Sequence, residues 1–400
     1  MEKTTIISRR IAALVEEDLE KKMVFVAGPR QCGKTTLARG ILARKGGAYY
    51  NWDVEAHRRV LRRSEIDEAS RLWVFDEVHK YRRWRNWLKG LYDLHRSSHP
   101  ILVTGSARLE IYGRGGDSLQ GRYFLYRLHP FTLSEVLGMP APAPGDDPAA
   151  LPRRETKDAS KVLDDLLALG GFPEPLFAGS ARSAARWRLA YGSRLVREEI
   201  RDLANLRDLD LVELLFDRLP ATVGSVLSIN SLREDLQVAF ETVRSWIGIF
   251  DGIYGTFRIP PFGPPRIKAV KKEQKLYLWD WPRVENPAAR FENLVGFHLL
   301  RLVHWCEDVE GAKTELRYFR TTVGHEVDFV LLRNSRPWMA IEVKLDDRPL
   351  DRNLKYLLER VRFPYAFQIS QRGVKDWRAP DINGCRIRLL PAARFLANLP

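Results

Sequence analysis

The stretch Met23-Val-Phe-Val-Ala27-Gly28-Pro29-Arg30-Gln31-Cys32-Gly33-Lys34-Thr35 decides the reading of this chain. Its first five residues are apolar at every position, which predicts a strand covered on both faces, and residues 36–43 continue with helical spacing. A glycine-containing loop between a strand and a helix lets successive backbone N–H groups turn inward, and the helix N-terminus adds partial positive charge. That arrangement cradles phosphates. Lys34 is placed to reach the β- and γ-phosphates of a nucleotide, and Thr35 to offer its hydroxyl to Mg2+. Gly28, Pro29, Arg30, Gln31, Cys32, Gly33, Lys34, Thr35 and Thr36 are therefore the expected nucleotide-binding residues. Cys32 sits inside the loop, and its side chain is given no role.

A second half of the site is expected at Leu72-Trp-Val-Phe-Asp76-Glu77. An apolar strand here delivers Asp76 to the Mg2+ ion, and Glu77 follows directly, placed to polarise an attacking water. The alternative is an acidic pair capping a helix. Ile101-Leu-Val-Thr104-Gly-Ser106 reads as a third strand ending in hydroxyls, with Thr104 or Ser106 as sensors of the γ-phosphate. No N-K-x-D guanine-reading motif occurs, so ATP is expected over GTP. Arg122, in Gly121-Arg122, is the candidate arginine finger; Arg108 and Arg127 compete with it, and a solvated arginine is the plain alternative. Catalysis is thus assigned to Lys34, Glu77 and Arg122.

Working outward, three short, continuously apolar runs (residues 23–27, 72–75 and 101–104) alternate with helical stretches, which predicts a parallel α/β sheet. The chain has 400 residues, more than one core usually organises, so several domains are expected. With 45% hydrophobic and 29% charged residues it is globular rather than disordered. Its net charge of +14 favours a polyanionic partner, with DNA preferred, over charge kept for solubility alone. No apolar run reaches the roughly 18 residues a membrane span needs, and no apolar signal core follows the polar, basic residues 1–10. Three widely spaced cysteines, Cys32, Cys306 and Cys385, suggest neither a disulfide framework nor a zinc site, which fits a reducing cytoplasm.

The seams lie at residues 138–157 and 258–265, both rich in proline and glycine. Between them the sequence is mainly helical, with patterns at 211–219, 231–236 and 239–250. In the last, Phe240, Val243, Ile247 and Phe250 form an apolar stripe. Residues 252–262 are the expected wing hairpin of a winged helix, which serves either as a DNA reader or as a lid or protein-contact module. The expected domains are 1–140, 141–205 (linker and helical segment), 206–270 (winged-helix-like) and 271–400.

In the tail, residues 327–332 and 339–343 read as strands joined by the turn Arg333-Asn-Ser-Arg336. A period of two puts Glu342 and Lys344 on one face. Asp328 can meet Glu342 across the hairpin, and together they can hold a hard divalent cation, with Lys344 orienting the attacking water. A surface E-x-K ion pair is the plain alternative. Basic–aromatic stretches at Tyr81-Arg-Arg-Trp-Arg85 and residues 264–275 suit phosphate contact, with Trp84, Trp87, Leu88 and Leu91 as a core stripe.

These motifs resemble a bacterial and archaeal family of AAA-like ATPases whose members join a P-loop domain to a C-terminal region with a PD-(D/E)XK nuclease-like fold. The resemblance is carried by the phosphate loop, Asp76-Glu77, T-G-S-A from Thr104, and G-R followed by L-H-P-F-T-L-S-E. It continues in G-G-F-P-E-P from Gly170, H-E-V-D-F-V from His325 and I-E-V-K from Ile341. It implies an α/β chain with a parallel-sheet AAA-like domain, a winged-helix middle and a restriction-endonuclease-like tail. It also implies that Glu292, on the preceding helix, joins Asp328, Glu342 and Lys344 in a nuclease-like metal site. Three functions remain in view: a DNA-acting motor with a gripping tail, forming a hexamer-like ring or smaller oligomer; a signalling or defence switch binding a protein partner; and an ATP-gated metal-dependent nuclease.

Overall fold

The computed structural model describes residues 9–106, 119–142, 147, 149, 156–200, 208–264 and 272–400. Among them no helix is long and apolar enough to cross a membrane. The chain divides into two compact units, Met1–Phe131 with Gly252–Tyr254, and Thr132–Asp251 with Gly255–Pro400. Residues 143–146, 148 and 150–155 of the seam at 138–157, the T-G-S-A alanine, Arg108 and most of the basic stretch 264–275 fall outside the described residues.

The first unit holds a five-stranded, wholly parallel sheet: β1 (Met23–Ala27), β2 (Ala48–Asn51), β3 (Trp73–Asp76), β4 (Ile101–Gly105) and β5 (Tyr123–Arg127). Their order is β2-β3-β4-β1-β5. The three strands expected from continuous apolar runs are β1, β3 and β4. Every residue in them is buried, as central parallel strands require. The two edge strands escaped the pattern. Ala48-Tyr-Tyr-Asn51 is mostly half-buried, and β5 begins with three half-buried residues, so neither shows a continuous run. Aromatic stacking holds them on instead: Phe25 on Tyr123 at 4.3 Å and Tyr50 on Phe75 at 5.8 Å between ring centroids.

Helix α1 is Ala12–Asp18, α2 is Lys34–Lys45, α3 is Glu55–Arg63 and α4 is Trp84–His95. Trp84 and Leu88 of α4 are buried against Phe25, Phe75 and Val103, with Trp87 and Leu91 packed partly under them, as their spacing predicts. Arg82 and Arg83 are left exposed.

The second unit takes in what the sequence divided at 205/206 and 270/271. Helices Ala159–Leu169, Pro173–Ala178 and Ala181–Arg194 lead to three further helices, Leu209–Arg218, Ile229–Leu236 and Phe240–Gly252. In the last of these Val243, Ile247 and Phe250 are buried with Trp246, while Phe240 is exposed. The hairpin that follows is wider than the wing expected at 252–262. Strand β6 (Thr256–Ile259) pairs antiparallel with β7 (Lys275–Leu278), which lies past residue 270, and Val226 bridges to Lys275. The intervening prolines Pro260, Pro261 and Pro264 lack the N–H needed to close a short hairpin.

The long helix Pro287–Asp308 opens on Asn286, whose Oδ1 accepts from the N–H groups of Ala288 and Ala289 at 2.9 and 3.1 Å. It precedes a six-stranded mixed sheet. Strands β8 (Thr314–Arg320), β9 (Glu326–Arg333) and β10 (Arg336–Lys344) form an antiparallel meander. Asn334 and Ser335 both have positive φ, 52° and 62°, the backbone of a tight hairpin turn. Helix Arg352–Arg360 then crosses to β11 (Tyr365–Ser370), parallel to β10. Strands β12 (Trp377–Ile382) and β13 (Cys385–Pro391) complete the sheet.

Candidate nucleotide site and a buried carboxylate–lysine cluster

The phosphate loop leaves the C-terminal end of β1, in mid-sheet, where α/β folds place their ligands. Gly28 is required by space, because a Cβ there would lie 2.2 Å from the carbonyl oxygen of Leu128. Gly33 has φ 100° at the start of α2, a conformation side chains resist. No side chain caps α2, and its first turn carries no acidic residue, so its first N–H groups remain directed at the loop.

Lys34 is buried, and its Nζ donates to the carbonyl oxygens of Gly28 and Pro29 at 2.8 and 2.7 Å, so the loop closes around its own ammonium. Asp76, at the end of β3, is also buried. Its Oδ2 accepts from Thr35 Oγ1 at 2.7 Å and from Tyr49 OH at 2.6 Å, and its Oδ1 from Thr104 Oγ1 at 2.6 Å. The sheet register explains the convergence, since Asn51, Asp76 and Thr104 are successive partners across β2, β3 and β4. Thr35 and Asp76 thus meet, as their motifs imply. Tyr49 was not foreseen; the signal was an aromatic hydroxyl in a strand too short to register.

Glu77 has φ 57°, an uncommon conformation for a side-chain-bearing residue, and its N–H donates to Thr104 O at 2.9 Å. Burial raises its carboxyl above the ordinary range, opposed by the ammoniums of Lys34 and Lys80. Lys80 Nζ is 3.4 Å from Glu77 and also binds Asp53, and His79 Nε2 is 3.7 Å from Glu77. Ser106 Oγ lies 3.4 Å from the same His79 nitrogen, so the hydroxyl expected as a sensor faces His79. Arg122 forms a two-pronged pair with Asp93 of α4 at 2.7 and 3.1 Å, and Arg127 is buried at the end of β5. Arg9 ties the loop from behind: it donates to Cys32 O at 2.9 Å and to His129 O, and stacks 4.2 Å over Phe131.

The donor set suits Mg2+: one hydroxyl and one carboxylate, with phosphate oxygens and water for the rest. The helix N-terminus and Lys34 suit the phosphates of a nucleotide.

In the second unit the four tail residues are drawn together. Asp328 and Glu342 lie on neighbouring strands, and Asp328 Oδ2 accepts from the Val343 N–H at 2.8 Å. Lys344 Nζ binds Glu342 at 2.7 Å and Asp351 at 2.8 Å. Glu292 is held by Tyr277 OH at 2.7 Å and by Lys275 Nζ at 3.0 Å, and Lys275 also reaches Glu326 at 2.6 Å. Burial and the neighbouring Glu292 push Asp328 up to about 7, and burial with Asp328 pushes Glu342 well above the carboxylate range. Glu342 Oε2 is buried with no hydrogen-bond partner. Among the described residues no group of three or more His, Cys, Asp and Glu side chains is arranged to hold a metal ion. Glu292, Glu326 and Glu342 each have a lysine partner instead, Lys275 for the first two and Lys344 for the third. Lys275, Tyr277 and Glu326 were not foreseen, although Glu326 stands inside the quoted H-E-V-D-F-V motif.

With this geometry in place, the first unit is an AAA-type P-loop domain. Residues 20–137 match a family model described as an AAA domain. Residues 160–281 and 288–375 match two models described as domains of unknown function, DUF8612 and DUF4143. Relatives include the uncharacterized proteins Mb2031c of Mycobacterium bovis and Rv2008c of Mycobacterium tuberculosis. Each is 24% identical over 365 residues, spanning 86% of this chain and 75% of theirs. Among solved structures, the Aeropyrum pernix Orc1 protein in complex with DNA is similar at TM-score 0.32 and 15% identity, over 72% of this chain and 90% of that one. The Thermotoga maritima RuvB Holliday junction branch migration motor is similar at TM-score 0.29 and 17% identity, over 62% and 87%.

Proposed function

We propose that this chain hydrolyses ATP with Mg2+ and acts on or with DNA, its tail serving as a nucleic-acid grip. The observation that carries the ATPase reading is the hydrogen bond of Thr35 Oγ1 to Asp76 beside the phosphate loop, with Glu77 next in the chain. With a nucleotide bound, Lys34 would leave the Gly28 and Pro29 carbonyls for the β- and γ-phosphates, and Thr35 and Asp76 would hold the cation. The cation neutralises charge on the phosphates when bound. Glu77, raised by burial above the ordinary carboxylate range, accepts the proton of the attacking water. Arg122 acts from a neighbouring subunit of an oligomer once released from Asp93.

The DNA reading is supported by the net charge of +14 and the exposed Arg82 and Arg83. Three helices followed by the β6–β7 hairpin support a winged-helix middle. The order helix, three-strand meander, crossover helix, parallel strand supports a nuclease-like fold for the tail. The pairing of its carboxylates with lysines favours a grip over a metal-dependent cutter. The test is ATP turnover with and without duplex, branched and single-stranded DNA at low and moderate salt, with Lys34→Ala as blank. Stimulation by one DNA form, erased by salt, supports the reading; a rate indifferent to every nucleic acid sinks it.

A second reading, a nucleotide-holding switch for a protein partner, is favoured by the 3.4 Å approach of Lys80 to Glu77. An ion pair there withdraws the carboxylate from water. This reading expects slow turnover and partner binding that differs between ATP and ADP.

A further inference from the structure

Lys275 is 1% exposed, yet carries a charge. Its backbone stands where the hairpin meets the helical segment, paired with Ile259 on β6 and bridged to Val226. Its Nζ sits 3.0 Å from Glu292 on the long helix and 2.6 Å from Glu326 at the start of β9, and 5.6 Å over the Tyr318 ring. A buried ammonium is expensive unless surrounded by anions. Burial opposes the charge here, but Glu292, Asp328 and Glu326 outweigh it and hold Lys275 above the usual lysine range. The same argument runs in reverse: three half-buried carboxylates around one point, Glu292 and Glu326 in contact with the ammonium and Asp328 within its field, are stabilised by a cation. A divalent ion is the alternative supplier, and a lysine leaves it no room.

We infer that the ammonium of Lys275 is the resident cation of the Glu292–Glu326–Asp328 cluster, so that the docked hairpin strand closes the tail to divalent metal ions. The hairpin then does two things with one side chain. It fixes the helical segment onto the sheet through a charge contact, and it takes the place a metal would need. Lys344, bound between Glu342 and Asp351, compensates the adjoining carboxylate in the same way. The inference deepens the grip reading of the tail and rests on it only in concerning the same carboxylates. Its test reads metal occupancy without DNA or ATP, so failure of the DNA reading leaves it standing.

The experiment is Mn2+ uptake by the nucleotide-free full chain, followed by the paramagnetic signal of free Mn2+, together with thermal unfolding in EDTA and in Mn2+. Wild type and Asp328→Asn should take up the same amount. Lys275→Ala should take up about one further ion per chain, lost again in the double variant with Asp328→Asn. In EDTA Lys275→Ala should melt several degrees below wild type, and Mn2+ should restore most of the difference. Asp328-dependent uptake by wild type overturns the inference, as does a folded Lys275→Ala with no added uptake. Should Lys275→Ala fail to fold under every condition, the comparison of wild type with Asp328→Asn decides alone: equal uptake upholds the closed cluster, and a difference overturns it.

Discussion

The backbone N–H of Leu133 donates to Nε2 of His298 at 3.0 Å, joining residues 165 positions apart. Nδ1 of the same ring faces Leu294 O at 2.8 Å. An N–H aimed at Nε2 and a carbonyl at Nδ1 fix the neutral tautomer with its proton on Nδ1. The helix Leu133–Val136 belongs to the motif L-H-P-F-T-L-S-E, and its burial against the long helix gives that motif a structural meaning.

Protonating His298 would set two donors face to face, and burial lowers its pKa from 6.5 to about 4. A histidine depressed in the fold contributes stability that is complete above the unfolded value and is lost as pH falls from 6.5 towards 4. The contribution at stake is about 3 kcal/mol at most. Melting temperature should fall over that window more steeply in wild type than in His298→Gln, which cannot gain the proton. Parallel pH profiles would show that His298 is not the source.

Tyr49→Phe removes one of three hydroxyls donated to Asp76 and leaves the ring, with Arg39 stacked 5.0 Å above it. The carboxylate then holds the cation with a less ordered oxygen. The Mg2+ concentration for half-maximal turnover should rise by roughly three- to tenfold, the range of one lost hydrogen bond to a charge, with the ATP requirement at saturating Mg2+ little changed. A Mg2+ titration of the ATPase rate checks this.

Glu77→Gln keeps the shape at the strand end but cannot accept a proton. Turnover should drop by roughly 100-fold or more while nucleotide affinity stays within a few-fold of wild type. A fluorescent-nucleotide titration beside the rate assay separates the two. Equal loss of both would assign Glu77 to binding instead.

Arg122 and Asp93 form an exposed pair on one domain, so Asp93→Ala should leave denaturant unfolding nearly unchanged. A finger acting on a neighbouring subunit predicts a sharp asymmetry. Arg122→Ala should lower turnover by roughly 1,000-fold, and Asp93→Ala, which frees the guanidinium, should preserve or raise it. Matching effects of the two substitutions would reduce the pair to a surface contact.

The core of the nucleotide site was legible because its constraints are local: a loop between one strand and one helix, and an acidic pair ending another strand. Their convergence through Thr35 and Asp76 follows from sheet order alone. Tyr49 was hidden because its role comes from register between neighbouring strands, which no single segment displays. Lys275 was hidden for a stronger reason. Within a basic stretch it reads as a solvated charge, and only the long helix and β9, arriving from later in the chain, bury it among carboxylates. The hairpin expected within 252–262 closes only at Lys275–Leu278, because proline spacing marks where a hairpin cannot close but gives no measure of how far on its second strand lies.

The contacts fastening the phosphate loop to the end of β5 are made to main-chain atoms: Arg9 binds the carbonyls of Cys32 and His129, Cys32 Sγ lies 3.5 Å from Leu128 O, and Gly28 presses on that same oxygen. Main-chain carbonyls survive substitution. The joint's hydrogen bonds therefore depend on Arg9 and on the close fit of Gly28 rather than on the side-chain chemistry of Leu128. Any shift of the loop on filling or emptying would be handed to residues 128–131, and so to the backbone that leaves β5.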